Sequence, residues 1–245
     1  MRPAPNGREP APAVAVRNLS FSYPDGAPAL DRVSLSVERG ERVALMGLNG
    51  AGKSTLLMHL NGILRGVGEI HIEGRLLADE SIRAIRRQIG FVFQNPDDQL
   101  FSPTVWDDVA YGPLYMGLEP DEIAARVERA LDAVGMGAVA EKMPHHLSLG
   151  QRKRVSLATV LSMDPTILVL DEPSAGLDPR ARRQLIGLLQ GLPQTLIIST
   201  HDLRFASEIA QRALIMDAGR IVADAPLREA LADDALLARY GLELT

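Results

Sequence analysis

The chain has no cysteine. Disulfides and thiolate metal sites are therefore excluded. Aromatic residues make up only 4% of the 245 residues, too few for the stacking platforms that grip single-stranded nucleic acid. There is no long basic run. Lys and Arg number 26 against 31 Asp and Glu, a net charge of −5. Nucleic acid is thus excluded as the expected partner, because phosphate contacts call for a basic face. No apolar run approaches the roughly 18 residues of a membrane span. Residues 1–12 lack the apolar core of a secretion signal and read as a disordered Pro-rich tail. A cytoplasmic setting is expected, with any membrane role left to a partner. Hydrophobic residues make up 46%, enough for a sizeable core in one large domain or two small ones.

Between Gly47 and Ser54 the chain reads Gly-Leu-Asn-Gly-Ala-Gly-Lys-Ser. This is a phosphate-binding loop, G-x-x-x-x-G-K-[ST]. Glycines let backbone N–H groups close around phosphate oxygens where a Cβ would block the approach. Gly47, Leu48, Asn49, Gly50, Ala51 and Gly52 form the cradle. Lys53 brings a compact positive charge for the β- and γ-phosphates. The Ser54 hydroxyl is a hard oxygen ligand suited to Mg²⁺. Arg42–Met46 reads as a buried strand before the loop. Residues 54–60, Thr55 among them, read as a helix whose positive dipole end faces the phosphates. A nucleoside triphosphate is the expected ligand.

Residues 14–23 and 33–37 alternate with the period of half-buried strands, and Pro24-Asp-Gly26 reads as the turn between them. Residues 68–72 add a further strand. From about residue 102 to 160 the pattern turns helical. Pro120 suits the first turn of a helix, Ile123, Val127, Leu131 and Val134 follow at helical spacing, and Gly135 suits the C-terminal cap. Thr166–Leu170 and Thr195–Ser199 read as parallel strands covered on both faces. Residues 213–223 read as a hairpin around residues 217–219, and the tail from about 226 to 245 as one or two short helices. Asp171-Glu172 closes the first of the two apolar strands. Ligands of α/β sheets sit at the carboxyl ends of strands, so Asp171 can hold Mg²⁺ while Glu172 polarises a water. The adjacent pair His145-His146 is expected to point apart, at a helix end or in a loop rather than in a metal site. Arg152-Lys-Arg154 reads as a helix start with solvated or phosphate-facing charges.

The order is phosphate loop, Gln94, Leu147-Ser-Leu-Gly-Gln151, hydrophobic-Asp-Glu, Ser174-Ala-Gly-Leu-Asp178 and His201. This resembles the ATP-binding subunit of ABC transporters, over roughly residues 14–222. The resemblance implies an α/β fold of the P-loop NTPase class: a β-rich N-terminal subdomain, a RecA-like core and a helical insert, all within residues 13–245. It implies ATP and Mg²⁺ as cofactors. Residue by residue, Tyr23 matches the aromatic that stacks on adenine. Gln94 matches the residue that touches Mg²⁺ and links the nucleotide to the transport partner. Ser148, Gly150 and Gln151 match the signature that faces ATP held by a second, head-to-tail subunit. Asp178 matches the interface loop and His201 the γ-phosphate histidine. One departure stands out: the family usually has glycine where this chain has Leu149, which puts local backbone geometry in question.

Residues 94–112 further resemble the ATPases of energy-coupling factor importers, which take up vitamins and transition metals. That likeness implies a transmembrane coupling subunit whose helix enters a groove here, and a substrate-binding membrane subunit. A DNA-repair or chromosome ABC ATPase would need a long coiled coil between Lys53 and Asp171, and no sustained heptads occur there. A translation-type ABC protein would carry two phosphate loops, and this chain has one. The expected function is an ATP-hydrolysing importer motor, peripheral on the cytoplasmic face of the membrane. Intact Glu172 and His201 favour a homodimer. Cobalt is the expected cargo, ahead of nickel or biotin.

Overall fold

The computed structural model describes residues 11–242. The expected tail, apart from Ala11 and Pro12, and residues 243–245 lie outside them. Strands β1 (Val14–Ser22) and β2 (Pro28–Val37) form a hairpin, and β3 (Arg42–Met46) leads through the glycine loop into α1 (Lys53–Leu60). Then come β4 (Val67–Ile72), β5 (Arg75–Leu76), α2 (Ile82–Gln88) and β6 (Ile89–Val92). Residues 102–160 hold α3 (Val105–Tyr115), α4 (Pro120–Ala133) and all but the last residue of α5 (Leu149–Leu161). The chain continues through β7 (Ile167–Asp171), α6 (Pro179–Gly191), β8 (Thr195–Thr200), α7 (Leu203–Ile209), β9 (Arg212–Asp217) and β10 (Arg220–Pro226). It closes with the short helices α8 (Leu227–Ala232) and α9 (Asp234–Arg239).

Two sheets organise these elements. The smaller is antiparallel, in the order β2-β1-β4-β5. The larger runs β10-β9-β3-β8-β7-β6, parallel except for the edge strand β10. Every residue of β7 and β8 is buried, as unbroken apolar runs in a parallel sheet require. The period-2 rule then divides β7 between two cores. Ile167 and Val169 pack on the side of α1 and the small sheet. Leu168 and Leu170 face the opposite side, with Val109, Leu131 and Leu157 of α3, α4 and α5. Thus the carboxyl end of β7 is fixed from both faces.

Local signals explain several boundaries. Pro120 stands in the first turn of α4, where no N–H is missed. At its other end Gly135 has φ 66°, its N–H donates to Asp132 O at 3.0 Å, and the Met136 N–H donates to Leu131 O at 2.8 Å. That is the Schellman pattern of a glycine-capped helix. β2 begins earlier than the alternation predicts. Its opening Pro28 is tolerated because β2 is an edge strand and needs no inward donor there. The His145 and His146 rings do not point apart as expected. They meet edge to face, 4.3 Å between centroids, in a single 3₁₀ turn.

Candidate active site

The glycine loop leaves β3 at Met46 and enters α1 at Lys53. Gly47, Gly50 and Gly52 all have positive φ, at 153°, 83° and 103°. Gly47 is constrained further. A Cβ there would lie 2.3 Å from the Met216 carbonyl oxygen of β9, so no side chain fits. Lys53 is buried at 6% exposure. Its Nζ donates to Gly47 O at 2.8 Å and Leu48 O at 3.1 Å, and lies 3.7 Å from Glu172 Oε1. The residues after it begin α1, so their free N–H groups face the loop.

Strand register supplies the second half of the site. Asp171 pairs with Ser199 across β7 and β8, and Ser199 is fully buried. Its hydroxyl donates to Asp171 Oδ1 at 2.5 Å and accepts from the Glu172 N–H at 2.9 Å. One serine therefore holds both acidic residues. Glu172 has φ 41°, a left-handed conformation that costs a non-glycine residue about 1–2 kcal/mol. Pro173 follows it, which restricts its backbone still more. The turn aims the buried Glu172 carboxylate at Lys53 and at His201, whose Nδ1 lies 3.0 Å from Oε1. The other oxygen, Oε2, is buried without a partner. Lys53, Asp171, Glu172 and His201 thus meet at the carboxyl end of the parallel sheet. A carboxylate with a free buried oxygen beside two cationic or imidazole groups can accept a proton from water.

The remaining candidate residues stand beyond strand ends, on α1 and at helix caps. The Tyr23 hydroxyl bonds Thr55 Oγ1 at 3.0 Å, and the ring remains 39% exposed beside the loop. Ser54 is half-buried on α1, and Gln94 is exposed two residues beyond β6. Ser148 and Asp178 are spent locally. Ser148 caps α5, its hydroxyl accepting from the Gln151 N–H while Gln151 Oε1 accepts from the Ser148 N–H. Asp178 caps α6, accepting from the N–H groups of Arg180 and Ala181. Among the described residues no hydrogen bond or ion pair joins Ser148, Gly150, Gln151 or Asp178 to the Lys53–Glu172 cluster. All four are exposed or half-exposed.

The ABC transporter family profile matches residues 30–175, more than half of the chain. The chain belongs to that family. A Streptomyces avermitilis protein bearing the name ABC transporter ATP-binding protein is 53% identical over 246 residues, spanning 99% of this chain and 94% of its own length. The energy-coupling factor transporter ATP-binding protein EcfA of Methanothermobacter thermautotrophicus is 48% identical, spanning 94% of this chain and 76% of its own length. Among solved structures, cbiO1 from Clostridium perfringens, part of the ABC transporter complex cbiONQ, superposes with TM-score 0.82 at 38% identity over 96% of each chain. A dimeric ATP-binding cassette in a post-hydrolysis state with ADP and Pi superposes with TM-score 0.78 at 29% identity, over 88% of this chain and 99% of that one.

This ABC protein is therefore an ATPase subunit of energy-coupling factor type, acting on ATP with Mg²⁺. Its donor set fits that ion. Ser54, Gln94 and Asp171 offer a hydroxyl, an amide and a carboxylate, all hard oxygens. Leu149 causes no backbone conflict. It occupies the first position of α5, and it is not among the residues of positive φ. Its side chain lies against Gly176, where a Cβ would come within 3.0 Å of Leu149 Cδ2.

Two residues that organise the site escaped the sequence. Ser199 is one, and only strand register reveals it. Lys153 is the other: Arg152-Lys-Arg154 does lie near the start of a helix, but this lysine is neither solvated nor facing a phosphate as expected. It is 6% exposed, and its Nζ donates to Glu172 O at 3.1 Å. Burial pulls its ammonium down to about 8, against the opposing pull of Glu172 and Asp171. Its neighbours are also engaged: Arg152 reaches Leu147 O and Asp97, and Arg154 reaches Val134 O.

Proposed function

We propose that this ABC protein is the motor of a micronutrient importer with cobalt ion as cargo, working as a head-to-tail homodimer on the cytoplasmic face of the membrane. The observation that carries the dimer is the division of the site. Lys53, Glu172 and His201 converge, whereas the signature serine is exposed and engaged only within its own capping box. A second copy in the opposite orientation would bring Ser148 and Gly150 to the γ-phosphate, with Asp178 along the seam. Tyr23 would stack on adenine. Cobalt rests on the sequence's likeness to the cobalt and nickel type of energy-coupling factor ATPase. Nickel, biotin and other vitamins are the competing cargoes.

In this reading Glu172 Oε2 takes a proton from water, whose oxygen forms a bond to the γ-phosphorus as the bond to the bridging oxygen breaks and ADP leaves. Lys53 and His201 offset charge on the equatorial oxygens. Ser54, Gln94 and Asp171 would hold Mg²⁺, which would supply further charge neutralisation. Gln99 ties the segment after Gln94 to α5. It accepts from the Phe93 N–H at 3.1 Å and donates to Ser156 O at 2.9 Å and Thr159 Oγ1 at 2.7 Å. Beside it opens a cavity of about 470 Å³ lined by Phe93, Phe101, Tyr111 and Tyr115 among others. Phe101 is 68% and Tyr115 72% exposed. Such a patch supports docking of the coupling subunit's helix. No described helix is long and apolar enough to cross a membrane.

The test is complementation. Ser148→Arg and Lys53→Ala should each abolish turnover, but a mixed dimer has one site with neither lesion. Mixing should restore activity, up to about half per mixed dimer if the sites act independently. Two folded variants that yield neither activity nor ATP-driven dimers on mixing would refute the composite site. The cargo is tested by radioactive cobalt uptake into vesicles holding the membrane partners. Uptake undisturbed by Glu172→Gln, or competed by biotin rather than by metal, would refute cobalt.

A further inference from the structure

Glu172 is the most conspicuous backbone outlier near the site, and each side of it is pinned. Its N–H has two acceptors on Ser199, the hydroxyl at 2.9 Å and the carbonyl at 3.1 Å. Its carbonyl oxygen accepts from the Ala175 N–H at 3.1 Å and from Lys153 Nζ at 3.1 Å. The Ser199 and Ala175 bonds belong to the sheet and to the turn itself. The lysine comes from elsewhere, from the second turn of α5. A buried ammonium is an expensive way to hold a carbonyl, since it must be stripped of water. A structural bond alone would be met more cheaply by a neutral donor.

We infer that Lys153 is a positioning residue for Glu172, fixing the left-handed turn that aims the carboxylate and tying that turn to the helix that begins at Ser148. The inference rests on the reading of Glu172 as the base. Two features support it. The ammonium stands among two buried carboxylates, Asp171 and Glu172, at 4% and 5% exposure. With Lys53 it balances their charge two for two. And α5 is a single 13-residue helix whose first cap is the signature serine. The same rigid element therefore presents Ser148 to one nucleotide and holds Glu172 for another. A shift of α5 at its N-terminus moves the support under Glu172.

Lys153→Met keeps the apolar stem, removes the donor and charge, and tests this in the full-length chain. The expected result is a folded protein by circular dichroism, an ATP dissociation constant within about twofold of the parent, and kcat lowered by about tenfold or more with KM little changed. In a Glu172→Gln background, Lys153→Met should leave ATP-driven dimers intact by gel filtration, because nucleotide binding and the signature cap are untouched. A kcat within twofold of the parent would overturn the inference. So would a loss carried by KM, or dimers lost in the Glu172→Gln background. If Lys153→Met does not fold, Lys153→Gln, which retains a donor, is measured the same way: kcat above one tenth of the parent's upholds a positioning bond, and kcat as low as that of Glu172→Gln opposes it. Parental turnover in Glu172→Gln alone would instead sink the base assignment, and so the two failures are distinguishable.

Discussion

Ser199→Ala isolates the contribution of the hydroxyl that joins β8 to both acidic residues. The side chain is fully buried. Its removal deletes a 2.5 Å bond to the Asp171 carboxylate and a 2.9 Å bond from the Glu172 N–H. The second loss is softened, because that N–H still reaches the Ser199 carbonyl at 3.1 Å. The first is not. A hydrogen bond to a charged group contributes about 1.5–3 kcal/mol, and an orphaned buried carboxylate oxygen costs toward the upper end, so about 2–3 kcal/mol is expected. For a chain of this size each kcal/mol moves Tm by about 2–4 °C, so a fall of about 4–12 °C should appear in thermal melts followed by circular dichroism. Ser207→Ala is the control. Among the described residues its hydroxyl bonds only Arg204 O on the exposed side of α7, and the change should stay within about 0.5 kcal/mol. Turnover should fall with stability in Ser199→Ala, since the strained Glu172 turn loses one of its anchors. A Ser199→Ala melt no lower than that of Ser207→Ala would refute the argument that register places this serine against the Asp171 carboxylate and the Glu172 N–H.

Glu172→Gln should bind ATP yet nearly cease turnover, and gel filtration with ATP and Mg²⁺ should show a persistent dimer; an unchanged rate or a monomer opposes the role. Tyr23→Ala should weaken ATP and GTP binding alike, because stacking tolerates either base, while Tyr23→Phe loses only the Thr55 bond and should keep nucleotide affinity. Loss of ATP binding with GTP retained would instead show hydrogen-bond reading of the base. For Lys153 the sign follows from its lowered pKa. The unfolded chain holds that proton up to about 10.5 and the folded chain only to about 8, so unfolding takes up protons between those values and this group's contribution to stability rises with pH. The penalty is complete below about 8. The parent's Tm should therefore rise relative to that of Lys153→Met as pH is raised from about 8 to about 10, and a constant difference would count against it.

Much of the fold could be read from local chemistry. The two-faced burial of β7 and β8 was visible in Ile167-Leu-Val-Leu170 and Leu196-Ile-Ile-Ser199, because a parallel strand has no polar side to show. The cap at Gly135 followed from one residue's freedom. Other elements were silent. β6 is four residues with a glycine in the middle, Ile-Gly-Phe-Val. α2 carries three arginines on seven residues, which blurs its single buried position, Ile85. The site divides the same way. The glycine loop and Asp171-Glu172 announce themselves because their chemistry needs particular residues in a row. Ser199 and Lys153 reach Glu172 across 27 and 19 residues of sequence. Their partners are set by strand register and helix placement, which spacing does not encode.

The clash at Gly47 separates two kinds of selection that a motif merges. The obstacle to a side chain there is the Met216 carbonyl of β9, a piece of the protein's own sheet and not a phosphate. A descendant that had abandoned ATP altogether would still be obliged to keep this glycine, while Lys53 would be free to drift. In such a lineage the first letter of the motif would outlive its meaning. A surviving Gly47 is therefore a record of the fold, and only the lysine six residues on testifies to the ligand.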